Sequence, residues 1–132
     1  MNLLLDTHIW IWNDLQPEKL SPQVVQELMG GHNVLWLSPV SIWELVLLVE
    51  KKKLQLKQQF HVWVNESVQN LGLQEASLNW EVAQEFRFTL LGHKDPADRF
   101  LAATAKAYDM TLVTADQRLL NVPGLKVLAN NS

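Results

Sequence analysis

Several acidic residues in this chain stand where one element gives way to the next, and carboxylates gathered at such places can hold a hard cation. Asp6 closes the run Asn2-Leu3-Leu4-Leu5. Three consecutive leucines, without alternation, read as a strand buried on both faces, as in a parallel sheet covered by helices. Asp6 then lies at the carboxyl end of that strand, where open α/β sheets bind their ligands. A helix cap is the competing reading, since Asp and Thr both cap well. Asp116 follows the apolar stretch Met110–Thr114 by two residues, which puts it on the same edge if that stretch is a parallel strand. Asp95 and Asp98 open the helix preceding that strand, and such a helix starts near the carboxyl edge as well. Each has a structural explanation when taken alone. Asp95-Pro96 is a cap followed by proline in the first turn, and capping is the main task expected of Asp95. Asp98 favours the helix dipole, and Asp116 suits the cap of a last short helix. Together on one rim these acids repel each other and call for a cation. Mg²⁺ or Mn²⁺, hard divalent ions with oxygen ligands, match that donor set.

Glu44 is the most informative acid. It is the only charge in Val40-Ser41-Ile42-Trp43-Glu44-Leu45-Val46-Leu47-Leu48-Val49. A helix apolar all round is normally buried, and a buried carboxylate must be paired, protonated or metal-bound. A salt bridge to one of the few arginines is the structural alternative. Thr7 beside Asp6, and Arg99 beside Asp98, are secondary candidates together with Asp95 and Thr114. Arg99 suits a phosphate or an acid, and the Thr114 hydroxyl suits a water or a ligand carboxylate. His93 is the histidine nearest the acids. The four histidines show no ligand-like spacing and there is no cysteine, which argues against zinc. There is no glycine-rich phosphate loop, and Ser38 and Ser41 lack the partners of a nucleophile.

The elements that position these acids can be read from hydrophobic periodicity and punctuation. A short helix over residues 8–14 ends at Pro17. Ser21-Pro22 opens a second, stopped by Gly30-Gly31. Val34–Leu37 is a strand, and Ser38-Pro39 starts a helix running to about Lys53, with the basic run Lys51-Lys52-Lys53 at its cation-favouring end. Helices are expected over 58–69 and 78–90, an extended segment over 71–76, and a loop from His93 turning into a helix through Tyr108. Strands over 110–114 and 125–128 flank a helical turn at 116–120. Helices alternating with short apolar strands imply a mostly parallel sheet covered on both faces.

The 132 residues bound one domain, 1–132, with 48% apolar residues to fill its core. The absence of cysteine fits a reducing cytoplasm. No stretch approaches the roughly 20 apolar residues of a membrane span, and the amino terminus lacks the basic start of a signal peptide. A net charge of −3 argues against strong non-specific binding of nucleic acid, unless a bound cation reverses the sign at the acids. The six tryptophans are expected in the core or on an oligomer face.

Four stretches in order, Leu-Leu-Leu-Asp-Thr-His, Ser-Pro-Val-Ser-Ile-Trp-Glu-Leu, His-Lys-Asp-Pro-Ala-Asp-Arg-Phe-Leu-Ala-Ala-Thr-Ala and Leu-Val-Thr-Ala-Asp, resemble the PIN-domain nucleases, and within them the VapC-like toxins of type II toxin-antitoxin pairs. The resemblance covers essentially the whole chain. It implies a three-layer α/β/α sandwich, a Mg²⁺- or Mn²⁺-dependent endoribonuclease acting on RNA, a homodimer, and a VapB-like antitoxin that blocks the site. By motif, the metal-binding and catalytic acids would be Asp6, Glu44, Asp98 and Asp116, with Asp98 rather than Asp95 as the third. An aspartyl phosphatase would want a second Asp at position 8, where His stands, and a receiver-type domain would want a lysine after the late strand, where Thr114 is followed by Ala115. The remaining rival is a non-catalytic PIN-like module that binds RNA or a partner protein. The apolar helix around Val40–Val49 is expected to contribute to a dimer or antitoxin surface.

Overall fold

The computed structural model describes residues 1–89 and 95–131. Five strands form one sheet in the order β3-β2-β1-β4-β5, and every pairing is parallel. They are β1 (Asn2–Leu5), β2 (Val34–Leu37), β3 (Gln74–Glu75), β4 (Thr111–Thr114) and β5 (Lys126–Ala129). The helices between them are α1 (Thr7–Leu15), α2 (Pro22–Met29), α3 (Pro39–Glu50), α4 (Phe60–Leu71), α5 (Trp80–Glu85) and α6 (Pro96–Ala107). Parallel strands need crossovers, and helices supply all but the last, where a 3-10 turn over Gln117–Asn121 joins β4 to β5.

The leucines of β1 explain its central place. Leu3, Leu4 and Leu5 are fully buried, yet they serve opposite faces of the sheet. Leu3 and Leu5 pack with residues of α1 to α4, among them Ile9, Trp10, Val24, Leu45 and Trp63. Leu4 packs with Leu101, Ala102 and Ala105 of α6, and with Leu112 and Leu119. This is the expected three-layer α/β/α arrangement. The small residues of α6 let it lie close against the sheet. Trp10 and Trp63 meet at 5.1 Å between ring centroids, and each finds a partner for its indole N–H: Ser67 Oγ at 2.7 Å and Asp14 Oδ2 at 2.6 Å. Trp43 and Trp80 are exposed, so only part of the tryptophan set is core. Among the described residues no helix is long and apolar enough to cross a membrane.

Three expectations need correction. The helix opened by Pro39 stops at Glu50 rather than near Lys53. Lys52 takes a left-handed conformation, φ 58°, Lys52 N–H bonds to Val49 O and Lys53 N–H to Leu48 O. That is a Schellman termination, with lysine in the place glycine usually fills. The helix expected over 78–90 is α-helical only through Glu85. It tightens to a 3-10 turn at Phe86–Phe88, because the Phe86 carbonyl is taken by Thr89 N–H, the Thr89 hydroxyl and Arg99 Nη2. Its last residue and His93 fall outside the described residues. The helix around Glu44 is also not sealed: Trp43 is 51% exposed and only Val40, Ser41 and Leu45 are buried, so its apolar sequence covers two environments.

The sheet order matters for the site. Chain order proceeds outward from β1 to β2 and β3, then returns to the other side of β1 for β4 and β5. The carboxyl ends of β1 and β4 therefore flank a topological switch point, where helices leave to opposite faces and a crevice opens.

Candidate active site

Asp6 leaves β1 directly into this crevice. It holds the cap position of α1, but its side chain makes no cap bond. Its Oδ2 instead accepts a 2.6 Å hydrogen bond from Thr114 Oγ1 at the end of β4. Thr114 Oγ1 in turn accepts the Asp116 backbone N–H at 3.0 Å. Thr114 thus ties the ends of the two central strands together through the acid. The carboxyl of Asp6 is buried, and burial is the main cause that raises its pKa, with the Thr114 hydroxyl acting against it.

Glu44 reaches the rim from α3. It is half-buried, and Thr7 at the start of α1 donates its hydroxyl to Glu44 Oε1. Thr7 Oγ1 also lies 2.8 Å from Ser41 Oγ, one turn before Glu44. Among the described residues no arginine or lysine pairs with Glu44, so the salt bridge considered for it is not its partner. Burial raises its pKa, Thr7 opposes this, and the charges of Asp6 and Asp95 add to the rise.

Asp95 caps α6 by accepting Ala97 N–H at 3.0 Å, the role expected of it. Asp98, in the first turn of the same helix, is 8% exposed. Its pKa is pushed up to about 8, first by burial and then by the charges of Asp6, Asp95, Asp116 and Glu44. The fields of four other carboxylates therefore overlap at Asp98. Asp116 caps the following 3-10 turn through Arg118 N–H, and Arg118 grips the same carboxylate with two further bonds of 3.0 Å, from Nε and Nη2.

The structure thus brings Asp6, Glu44, Asp95, Asp98 and Asp116 within mutual electrostatic reach, with Thr7 and Thr114 bonded to two of them. Arg99 differs from expectation. Its guanidinium donates to the carbonyls of Thr89 and Phe86 and lies 3.9 Å from the centroid of the Phe86 ring. It fastens the 86–89 turn to α6 instead of facing a phosphate or an acid. Arg118 escaped the sequence reading; the available signal was its position two residues after a capping acid. Ser41 was considered only as a nucleophile, whereas its hydroxyl supports Thr7.

All donors here are oxygens, the set that Mg²⁺ or Mn²⁺ takes, and their mutual repulsion is what a cation would relieve. Among the described residues no three such groups are gathered at the spacing direct ligation of one ion requires. Like charges explain this: Asp6 turns to Thr114, Glu44 to Thr7 and Asp116 to Arg118, each toward a neutral or positive partner. The donor set fits a hard divalent ion, provided the carboxylates close in around it.

The chain is similar to known proteins in sequence and in fold. The chain is 32% identical over 120 residues to Ribonuclease VapC22 of Mycobacterium tuberculosis, covering 89% of this chain and 88% of that one. Its fold is similar to that in the complex of VapBC2 from Rickettsia felis with a promoter DNA fragment, with a TM-score of 0.74, 19% identity, and 99% and 100% of the two chains covered. It is also similar to FitAcB from Neisseria gonorrhoeae, with a TM-score of 0.66, 23% identity, and 97% of each chain covered. Residues 3–125 match the family model of the PIN domain, and with a relative this similar over nearly its whole length the chain belongs to the PIN-domain family.

Proposed function

We infer that this protein is an endoribonuclease that hydrolyses RNA phosphodiester bonds with the help of Mg²⁺ or Mn²⁺, and that it is the toxin of a type II toxin-antitoxin pair. What supports the chemistry most is a single observation: carboxylates from four separate parts of the chain meet at the switch point, and all of their charges bear on Asp98. The similarity to a ribonuclease over most of the chain supports the substrate class.

Asp6, Glu44, Asp98 and Asp116 are the residues that would hold the ion, with Asp95 at their margin. When bound, a divalent ion lowers the pKa of a water and offsets charge on the phosphate and the leaving oxygen. The chain's own part is orientation and proton control. Thr114 fixes the Asp6 carboxylate against the end of β4, and Thr7, braced by Ser41, fixes Glu44. Burial and the neighbouring carboxylates raise the Asp98 pKa to about 8, so a cation held by Asp98 would have to displace its proton. Arg118 holds Asp116 and neutralises part of the rim's charge before metal arrives.

A VapB-like antitoxin and a second copy of the chain are the partners this reading assigns. The solved complexes with a similar fold include toxin-antitoxin assemblies, and the exposed Trp43 on α3 offers an apolar anchor for either. The deciding experiment is cleavage of a labelled RNA pool by wild type and Asp6→Asn with Mg²⁺, Mn²⁺ or EDTA. Cleavage by wild type alone, lost in EDTA, is the expected result. Equal cleavage by both, or cleavage that survives EDTA, refutes the metal-nuclease reading. No cleavage of any RNA by either would favour a non-catalytic module.

A further inference from the structure

A hollow of about 230 Å³ lies between α1 and α3, lined by His8, Trp12, Lys19, Leu48 and Lys53 among others. It adjoins the acidic rim. His8 follows Asp6 by two residues, and Leu48 lies one helical turn beyond Glu44 on the same face of α3, about 6 Å along the axis. The hollow therefore begins where the acids end and runs down the cleft between the two helices.

Its charge is opposite to that of the rim. The chain as a whole is acidic, at −3, and the arginines nearest the acids are already engaged. Arg99 is taken by two carbonyls and Phe86, and Arg118 by Asp116. Lys106 pairs with Glu85 and Lys126 with Asp109. Lys19 and Lys53 have no carboxylate within ion-pair distance among the described residues, and both are exposed. The Lys19 side chain and the Lys53 main chain are each positioned by a contact. Lys19 Nζ sits over the Trp12 ring, 5.2 Å from its centroid, and the His8 ring lies 5.7 Å from the same tryptophan. The Lys53 main chain is placed by the backbone bond that ends α3, after the left-handed Lys52, and its side chain adds a positive charge to the lining of the hollow. The volume is below the roughly 300–1,000 Å³ of an enclosed small-molecule site, and suits a stretch of sugar–phosphate backbone crossing it.

We propose that this α1–α3 hollow is a subsite for the RNA backbone running away from the acidic rim, with Lys19 and Lys53 contacting phosphate at its far end and Trp12 holding the Lys19 ammonium in place. The proposal rests on the ribonuclease reading for its ligand class. Its physical role follows from the charges: a polyanion must reach an acidic rim, and among the described residues Lys19 and Lys53 line this hollow with no carboxylate in ion-pair range. Phosphate contacts position a nucleic acid without reading its sequence, so the subsite sets register and leaves base selection to other surfaces.

The test measures binding of a short, labelled, random-sequence single-stranded oligoribonucleotide to Asp6→Asn protein with Mg²⁺ present, so that the RNA stays intact. Lys19→Glu and Lys53→Glu are compared with Lys126→Glu, which changes net charge equally but lies at the start of β5. Each groove variant is expected to weaken binding about fivefold, and to reduce the slope of log affinity against log salt by about 0.7. Lys126→Glu is expected to do neither. Lys19→Gln and Lys53→Gln, expected to show smaller losses of the same kind, serve if a reversal unfolds the protein. Groove variants that bind RNA as well as Lys126→Glu does would overturn the proposal. So would variants that bind RNA normally but no longer co-purify with the partner protein, since the hollow would then be a protein-docking surface. Failure of the nuclease reading shows itself separately, as wild type that cleaves no RNA while lysine-dependent RNA binding persists.

Discussion

Replacing Asp98 by asparagine should stabilise the metal-free protein at pH 8 while abolishing RNA cleavage. The Asp98 carboxyl sits at about 8, far above its ordinary 3.8. A carboxyl raised by folding binds its proton more tightly in the native state than in the unfolded one. Its contribution is therefore fully favourable below pH 3.8 and is lost as pH rises through about 8. The shift sets a ceiling of roughly 5–6 kcal/mol at 1.36 kcal/mol per tenfold change in proton affinity. The effective dielectric of about 20 that even buried protein sites show takes most of this away, leaving about 1–2 kcal/mol. For a chain of this length that is roughly 4–8 °C in melting temperature. The assay is thermal denaturation of wild type and Asp98→Asn in EDTA from pH 5 to pH 8, repeated with Mg²⁺. Wild type should lose stability toward pH 8 relative to the variant. Mg²⁺ should restore it at pH 8, by about 2.7 kcal/mol at a hundred times Kd, and much less at pH 5, where the proton competes. The variant should show a flatter pH profile and a smaller response to metal. A wild-type profile parallel to that of Asp98→Asn, with no response to Mg²⁺ at either pH, would refute the argument that the acids form one electrostatic unit.

Arg118→Ala should tighten Mn²⁺ binding several-fold in calorimetric titration, because the guanidinium competes with the ion for the Asp116 carboxylate; unchanged or weaker binding would mean that Arg118 positions Asp116 instead. Thr7→Val removes the hydroxyl between Ser41 and Glu44 and should cost about 1–3 kcal/mol, read as a lower melting temperature. It should also move any rise of cleavage with pH that depends on Glu44 ionisation to higher pH, since Thr7 opposes the raised pKa of Glu44, and Thr7→Ser should recover most of both. Ser67→Ala leaves the buried Trp10 indole N–H without its acceptor and should destabilise by about 1–3 kcal/mol in denaturant titration, with the metal response unchanged.

These predictions turn on features that were unequally visible in the amino-acid sequence. The strand ending in Asp6 was legible because three adjacent leucines can only be buried together if both faces of the strand are covered, and Leu3 and Leu5 against Leu4 divide in that way. The α6 cap was legible because Asp-Pro is a local signal, satisfied within two residues by Ala97 N–H. Arg99 was misread because its partners, the Thr89 and Phe86 carbonyls, lie ten and thirteen residues away on a turn that carries no sequence signature. The end of α3 was misplaced because a lysine replaces glycine at the left-handed position, so the usual stop signal was missing. Glu44 was judged from the composition of its helix, which cannot distinguish apolar residues facing the core from Trp43 facing outward.

The acids themselves come from positions 6, 44, 95, 98 and 116, and no periodicity links them. They meet because the sheet reverses its growth at β1, and that reversal follows from crossover packing across the whole chain. The deepest two, Asp6 and Asp98, are buried on elements that approach the rim from opposite faces of the sheet. A fold stabilised by its apolar layers alone gains nothing from this arrangement, since each buried carboxyl resists ionisation and each charge raises the pKa of its neighbours. The native state tolerates it by giving Asp6 the Thr114 hydroxyl, Glu44 the Thr7 hydroxyl and Asp116 the Arg118 guanidinium. In the metal-bound state proposed above, a divalent cation would replace these accommodations at once, and the cost of bringing the acids together would become the source of its affinity.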